Sequence, residues 1–129
     1  MRIILFNTWA LFLGFAIISL GHGLQGTLIG VRAVLEGFSF LSTGLIIAGY
    51  YFGFLGGSIA IPLFIERVGH IRVFAALASL ASIAILLHSI FLDPTIWFFI
   101  RMLTGFCIVG IFIIMESWLN NKSTNATRG

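Results

Sequence analysis

Arg101 is the residue of this chain with the most chemistry to offer. It falls inside TIWFFIRMLTGFCIVGIFII, residues 95–114, a stretch that carries no other charge. It stands about eight residues beyond Asp93, roughly 12 Å along a helix axis at 1.5 Å per residue. A charge at that depth in hydrocarbon costs roughly 2.5–3.5 kcal/mol on insertion scales unless partners or water reach it. His22, Gln25 and Thr27 form a second polar patch inside an earlier apolar run. Counted back from Arg32, Gln25 and His22 lie roughly 10 and 15 Å deep, level with Arg101 if the two helices run antiparallel. Arg101, Gln25, His22 and Thr27 are therefore expected to line a shared polar cavity, although backbone carbonyls could hold Arg101 instead. His22 could titrate near physiological pH and so carry a proton, or serve only as a hydrogen-bonding cavity residue. His88 is placed near the outer end of its helix, at the interface. Metal or haem ligation by His22 and His88 would need matched depth and further ligands, so neither a metal nor a cofactor is expected.

The other concentration of charge is in GFLGGSIAIPLFIERVGHIR, residues 53–72, where Glu66, Arg67, His70 and Arg72 surround Gly69. Such a cluster cannot be left in hydrocarbon, so it reads as a short polar turn, Glu66–Arg72, between two membrane helices. Glu116 lies near the end of the fourth run, on the same side as that turn. No phosphate-binding glycine loop and no nucleophile–base pair occur, and the acids are too dispersed for catalysis, so an enzyme is not expected. Asn121–Ser123 and Asn125–Thr127 match the glycosylation pattern, but on a cytoplasmic side they would be chance matches.

The elements that must position these groups follow from composition. The 129 residues are 60% hydrophobic and 9% charged, with a mean hydropathy of +1.15. Soluble domains carry roughly a quarter charged residues, which argues against a water-soluble fold. The net charge of +3 is dispersed among turns rather than gathered on one face, so nucleic acid is not an expected partner. Cys107 is a lone cysteine inside an apolar run, leaving no intrachain disulfide. The first apolar run is too long for a signal-peptide core and lacks a small-residue cleavage site.

Four runs are long enough to span roughly 30 Å of hydrocarbon: residues 6–30, 40–65, 73–91 and 95–119. Val31–Ser39, the charged turn and Asp93–Pro94 connect them. Asp93 suits the cap of the fourth helix and Pro94 its first turn. Short connections make neighbouring helices antiparallel. Arg2, Arg67, Arg72, Lys122 and Arg128 then share one side, with Arg32 on the other, which places the amino terminus in the cytoplasm. Trp9, Trp97 and Trp118 suit interfacial anchoring. Gly49, Gly53 and Gly57 recur every four residues on one helix face, with Gly56 beside them, and Gly26 and Gly30 share that spacing in the first run. Small residues so placed let helix backbones approach closely, either for static packing or as a surface that slides during transport.

These residues resemble a known family. PLFIERVGHIR is similar to the loop between the second and third helices of the major facilitator superfamily, with pattern Gly-x-Leu-Ala-Asp-Arg-x-Gly-Arg-Arg. Glu66 stands at the acidic position, Arg67 at the basic one and Gly69 at the glycine, and Arg72 supplies a late basic charge. Pro62, Glu66, and His70 with Ile71 depart from that pattern. RMLTGFCIVG resembles a second family motif, Arg-x-x-x-Gly followed by small residues, through Arg101, Gly105 and Gly110. The GHIR turn and the ESWLN segment are most similar to the YcaD-like branch of permeases. The resemblance implies that Glu66 latches onto a helix of the other half of a carrier, closing the cytoplasmic side. It likewise implies that Glu116 pairs with Arg67 or Arg72 in that closed state, although Glu116 could equally be a solvated helix-end charge.

The expectation is an all-α membrane protein with four transmembrane helices, a partial major-facilitator-type bundle truncated before a fifth helix. By that resemblance it belongs to a multi-pass permease of the inner (plasma) membrane. Its partners would be the lipid bilayer, the remaining helices, a small solute and, through His22, protons. Secondary transport by alternating access is the expected function. The alternatives are a complete four-helix dimeric exporter, although the first helix lacks the acid such exporters use, and a subunit that binds partner helices.

Overall fold

The computed structural model describes residues 2–127, the side chains of residues 4, 5, 7 and 122–127 excepted. It consists of four helices: α1 (Arg2–Leu35), α2 (Phe40–Val68), α3 (His70–Ile90) and α4 (Pro94–Thr127). Each contains a span long and apolar enough to cross a membrane: Thr8–Leu35, Phe40–Val68, His70–Ile90 and Pro94–Asn121. The protein is an all-α, multi-pass membrane protein. Lys122 and the two glycosylation-pattern asparagine motifs involve side chains outside the described residues, as does Arg128 altogether.

The helices are longer than the apolar runs, and local chemistry accounts for each end. α1 continues past residue 30 because nothing in Val31–Leu35 breaks it, and Ala33 is buried beside Ile29, Ile46 and Trp97. It stops at Gly37, whose φ of +76° suits a residue without Cβ. There Phe38 N–H donates to Ala33 O at 2.9 Å and Gly37 N–H to Val34 O at 3.1 Å, pairing the last carbonyls. Ser39 then caps α2, its Oγ accepting from Ser42 N at 3.1 Å. Asp93 caps α4 as expected, Oδ1 accepting from Thr95 N at 2.8 Å and from Ile96 N at 3.3 Å.

The expected turn Glu66–Arg72 is shorter than the charge pattern suggested. Gly69 alone separates α2 from α3, with φ +96° and ψ 161°. Its N–H donates to Ile65 O at 2.9 Å and its carbonyl accepts from Val73 N at 3.3 Å, so one residue ends one helix and begins the next. Glu66 and Arg67 thus occupy the last turn of α2, and His70 and Arg72 the first turn of α3. Helical backbone satisfies its own polar groups, so charged residues at an interface need no loop to hold them.

α4 is the hub. Of its span 61% is buried, against 11% for α1, 28% for α2 and 22% for α3. α2 packs along α4 through Gly49, Gly53 and Gly57. A Cβ at Gly53 would overlap the Met102 carbonyl, and one at Gly49 would lie 2.9 Å from Phe98 O. The approach is reciprocal. A Cβ at Gly105 would overlap the Tyr50 carbonyl, and one at Gly110 would collide with Leu77 of α3. With lipid as apolar as leucine, such close backbone contact is what associates helices. α3 closes the other side of α4 through Val73, Leu77 and Ala81 against Cys107, Ile111 and Ile114. Gly21, Gly23, Gly26 and Gly30 of α1 face open space, so the spacing shared by Gly26 and Gly30 packs against nothing described.

Candidate functional site

Gly105 and the residue one turn before it, Arg101, build the site. Without a Cβ at Gly105, the backbone of α2 at Tyr50 comes against α4, and this brings the Tyr50 ring to Arg101. The Arg101 guanidinium carbon lies 4.9 Å from the ring centroid. A cation over an aromatic face is attracted by the ring quadrupole, more strongly where water is excluded. The His22 ring, from α1, stacks on the same tyrosine at 5.1 Å between centroids and 21° between planes. Gln25, one turn along α1, lies close enough to the His22 ring to interact with it.

α3 contributes His88. The residue is 6% exposed, as is Arg101, and so is buried rather than interfacial. Its Nδ1–H donates to Ala84 O at 2.9 Å, and its ring meets Trp97 edge-on at 5.4 Å. With Nδ1 committed, Nε2 of the neutral ring is an acceptor. Trp97 also departs from its expected interfacial role: it is fully buried, and its indole N–H donates to Phe91 O. Both changes have one cause. Trp97 meets the His88 ring of α3 while Ile29 and Ala33 of α1 and Ile46 of α2 pack around it, so the two rings bury each other inside the bundle. Trp9 is exposed, as an interfacial residue would be.

The site is under-satisfied. His22 Nδ1, Gln25 Nε2, His88 Nε2, and Nε and Nη1 of Arg101 are buried without a hydrogen-bond partner. Each such group costs about 1–3 kcal/mol when left unpaired. Thr104, also buried, spends its hydroxyl on Ile100 O at 2.9 Å. Two cavities adjoin the group between α1, α3 and α4. One, of about 260 Å³, is lined by Leu28, Ile29, Ile85 and Trp97, with Gln25, Arg32, His88 and Ser89 as its polar walls. The other, of about 150 Å³, has His22, Gln25 and Thr104 on its walls.

Thr27 does not join. It is exposed, and its hydroxyl is turned to Gly23 O at 3.5 Å. Two residues beyond Gln25, it lies on another face of α1. Tyr50 was missed in the sequence, and His88 was read there as interfacial. The signal for Tyr50 was its place between Gly49 and Gly53, on the approach face of α2.

The charged end is more open. Glu66, Arg67, Arg72 and Glu116 are all exposed. Among the described residues the one ion pair is Arg32 Nε to Glu36 Oε1 at 3.6 Å, so Glu116 is not paired with Arg67 or Arg72 in this conformation. His70 instead ties the start of α3 to α4, its Nε2 lying 2.9 Å from Ser117 Oγ. Among the described residues no three His, Cys, Asp or Glu side chains gather to hold a metal ion. No family model, curated protein or solved structure matches the chain, and the chemistry of the buried group is what bears on its role.

Proposed function

We propose that the chain is a helical unit of a secondary transporter of the major facilitator kind, moving a small solute across the plasma membrane by alternating access. In this reading the amino terminus and the Gly69 turn face the cytoplasm, where Arg2, Arg67 and Arg72 satisfy the positive-inside rule. The observation that carries it is Arg101, buried among all four helices with two nitrogens unpartnered, beside His22, Gln25 and His88, which line two cavities. A membrane protein that kept a charge there for packing alone would be expected to pair every donor, because unpaired groups are costly in hydrocarbon. Binding sites of secondary transporters lie near the bilayer midplane between helices that rock against one another. The glycine-lined contact of α2 with α4 suits such a moving surface, and the exposed Glu66 suits a latch that engages in another conformation.

The test is solute counterflow in proteoliposomes across a panel of small solutes, with Arg101→Ala alongside. Abolished counterflow at unchanged membrane abundance is the expected result. Loss of insertion in Arg101→Ala would make the arginine structural. A second reading, a subunit that binds partner helices, draws on α1, whose Gly14, Gly21, Gly23 and Gly26 face open space.

A further inference from the structure

We infer that the slot between α1 and α3 holds an acyl chain of a phospholipid whose headgroup carries both a phosphate and a primary ammonium, as phosphatidylethanolamine does. The inference goes beyond the transport reading and does not depend on it. It starts from where the slot lies. Its walls run from Gly21 to Arg32 on α1 and from Ile85 to Ser89 on α3, with Trp97 of α4 at its base. Arg32, Ser89 and Trp97 each stand within about one turn of the end of their span, so the mouth is at the membrane boundary. Gly21 lies roughly 16 Å below Arg32 along the helix axis, the depth of one leaflet of a hydrocarbon core roughly 30 Å thick.

The section of the slot says what fits. A volume of about 260 Å³ spread over that length leaves an opening roughly 4 Å across, against about 10 Å for a helix with its side chains. A further helix therefore does not enter, whereas a hydrocarbon chain does. Leu24, Leu28 and Ile85 on the rim are exposed, so the slot opens sideways to lipid, while Ile29 and Trp97 below them are buried. The unpartnered nitrogens of Gln25 and His88 are covered, so the surface on offer is almost wholly apolar.

Charge at the mouth selects the headgroup. Arg32 and Glu36 pair loosely, Nε to Oε1 at 3.6 Å, with side chains 42% and 35% exposed. Such exposed pairs contribute little by themselves, so both partners remain open to a headgroup. A phosphate suits the guanidinium, which can offer it two parallel N–H donors. Glu36 and Asp93 outnumber Arg32 at this end, which disfavours a headgroup of net negative charge and favours one that adds an ammonium. Ser89 spends its hydroxyl proton on Leu86 O at 2.6 Å and so offers only lone pairs, as an ammonium N–H requires. The quaternary nitrogen of choline has no N–H to give. Phosphate on Arg32 and ammonium on Glu36 leave the local charge unchanged when the lipid binds.

The test uses Trp97 as the reporter, since it is fully buried by the chain and met from the slot. The protein, with Trp9→Phe and Trp118→Phe, is placed in phosphatidylcholine nanodiscs. Phosphatidylethanolamine, phosphatidylcholine or phosphatidylglycerol with brominated chains is then titrated in, and quenching of Trp97 fluorescence is read. Half-quenching is expected at a roughly threefold lower mole fraction of the ethanolamine lipid than of either other, the scale of exposed ion pairs. Arg32→Gln should erase that preference. Glu36→Gln should let the glycerol lipid quench as well as the ethanolamine one. Gly21→Leu, which fills open space at the deep end of the slot, should reduce the ethanolamine lipid to the level of the choline one. Equal quenching by the three lipids overturns the inference, as does a preference that survives Arg32→Gln and Gly21→Leu. Strongest quenching by the glycerol lipid would replace it with an anionic-lipid site. Trp97 left unquenched by every lipid would overturn it in favour of a slot closed by protein, such as a second copy of the chain.

Discussion

The guanidinium of Arg101 lies over the ring of Tyr50, 4.9 Å from its centroid, and joins α4 to α2 in the middle of the bundle. No carboxylate offsets the charge, so the π face is its principal partner within the protein. Cation–π contacts contribute about 0.5–1 kcal/mol at exposed sites and about 2 when desolvated. Tyr50→Leu should therefore lower thermal stability in detergent by an amount near the upper figure, while Tyr50→Phe, which keeps the ring, should stay close to wild type. Equal losses in the two variants would mean that the hydroxyl, not the ring, carries the contact.

Gly53→Ala is expected to be severe for so small a change. The added Cβ would overlap the Met102 carbonyl of α4, an atom fixed in a helix backbone. Overpacking typically costs about 1–3 kcal/mol, and a site with backbone on both sides belongs at or above the upper end. Gly105→Ala, which meets the Tyr50 carbonyl, should behave alike. Gly56→Ala is the control, since nothing lies within 4 Å of its Cβ position. Thermal unfolding of the three variants in detergent separates the approach face from helix propensity. Similar midpoints for Gly53→Ala and Gly56→Ala would contradict the packing described.

These two contacts also mark where the sequence was legible. Four helices followed from hydropathy alone, because an apolar solvent leaves few ways to satisfy a backbone. Gly49, Gly53 and Gly57 were readable as a packing face because their spacing repeats each turn of a helix. Gly26 and Gly30 share that spacing yet face open space, since periodicity marks a face without saying what meets it. Depth counted from the helix ends placed Arg101 level with His22 and Gln25, but depth says nothing of rotation about the axis, and Thr27 points elsewhere. His88 was misjudged for the same reason: its distance from the helix end suggested an interface, whereas the face it shares with Ala81 and Ala84 is covered by α4. The charge cluster at residues 66–72 suggested a loop, and only the backbone at Gly69 shows how little chain the reversal needs.

Gly69→Ala tests that reversal. With φ +96° and ψ 161°, Gly69 occupies a region essentially closed to residues with a Cβ. No neighbour crowds it, so the penalty is conformational rather than steric. Such strain costs about 1–3 kcal/mol. Gly69→Ala should be destabilised by that amount, and Gly69→Asn by a similar amount, since asparagine's tolerance of positive φ lies in the left-handed helical region and not at ψ 161°. A wild-type unfolding midpoint for Gly69→Ala would show that α2 and α3 reconnect by another route.

His70 and Ser117 provide a tether that can be measured as a pair. The bond of 2.9 Å links the first turn of α3 to α4, next to the exposed Glu116. In a cycle of His70→Ala, Ser117→Ala and the double variant, the coupling energy should be about 0.5–1.5 kcal/mol, the net value of a typical hydrogen bond. The pair Glu116→Gln and Arg72→Gln, unlinked in this conformation, should show a coupling near zero under the same conditions. If the Glu116 cycle gave the larger value, Glu116 and Arg72 would already be paired in the resting protein, contrary to the conformation described. If instead it stayed near zero at rest and rose when a counterflow substrate was added, the charged end would pair only in a second conformation, which is what the proposed transport reading requires.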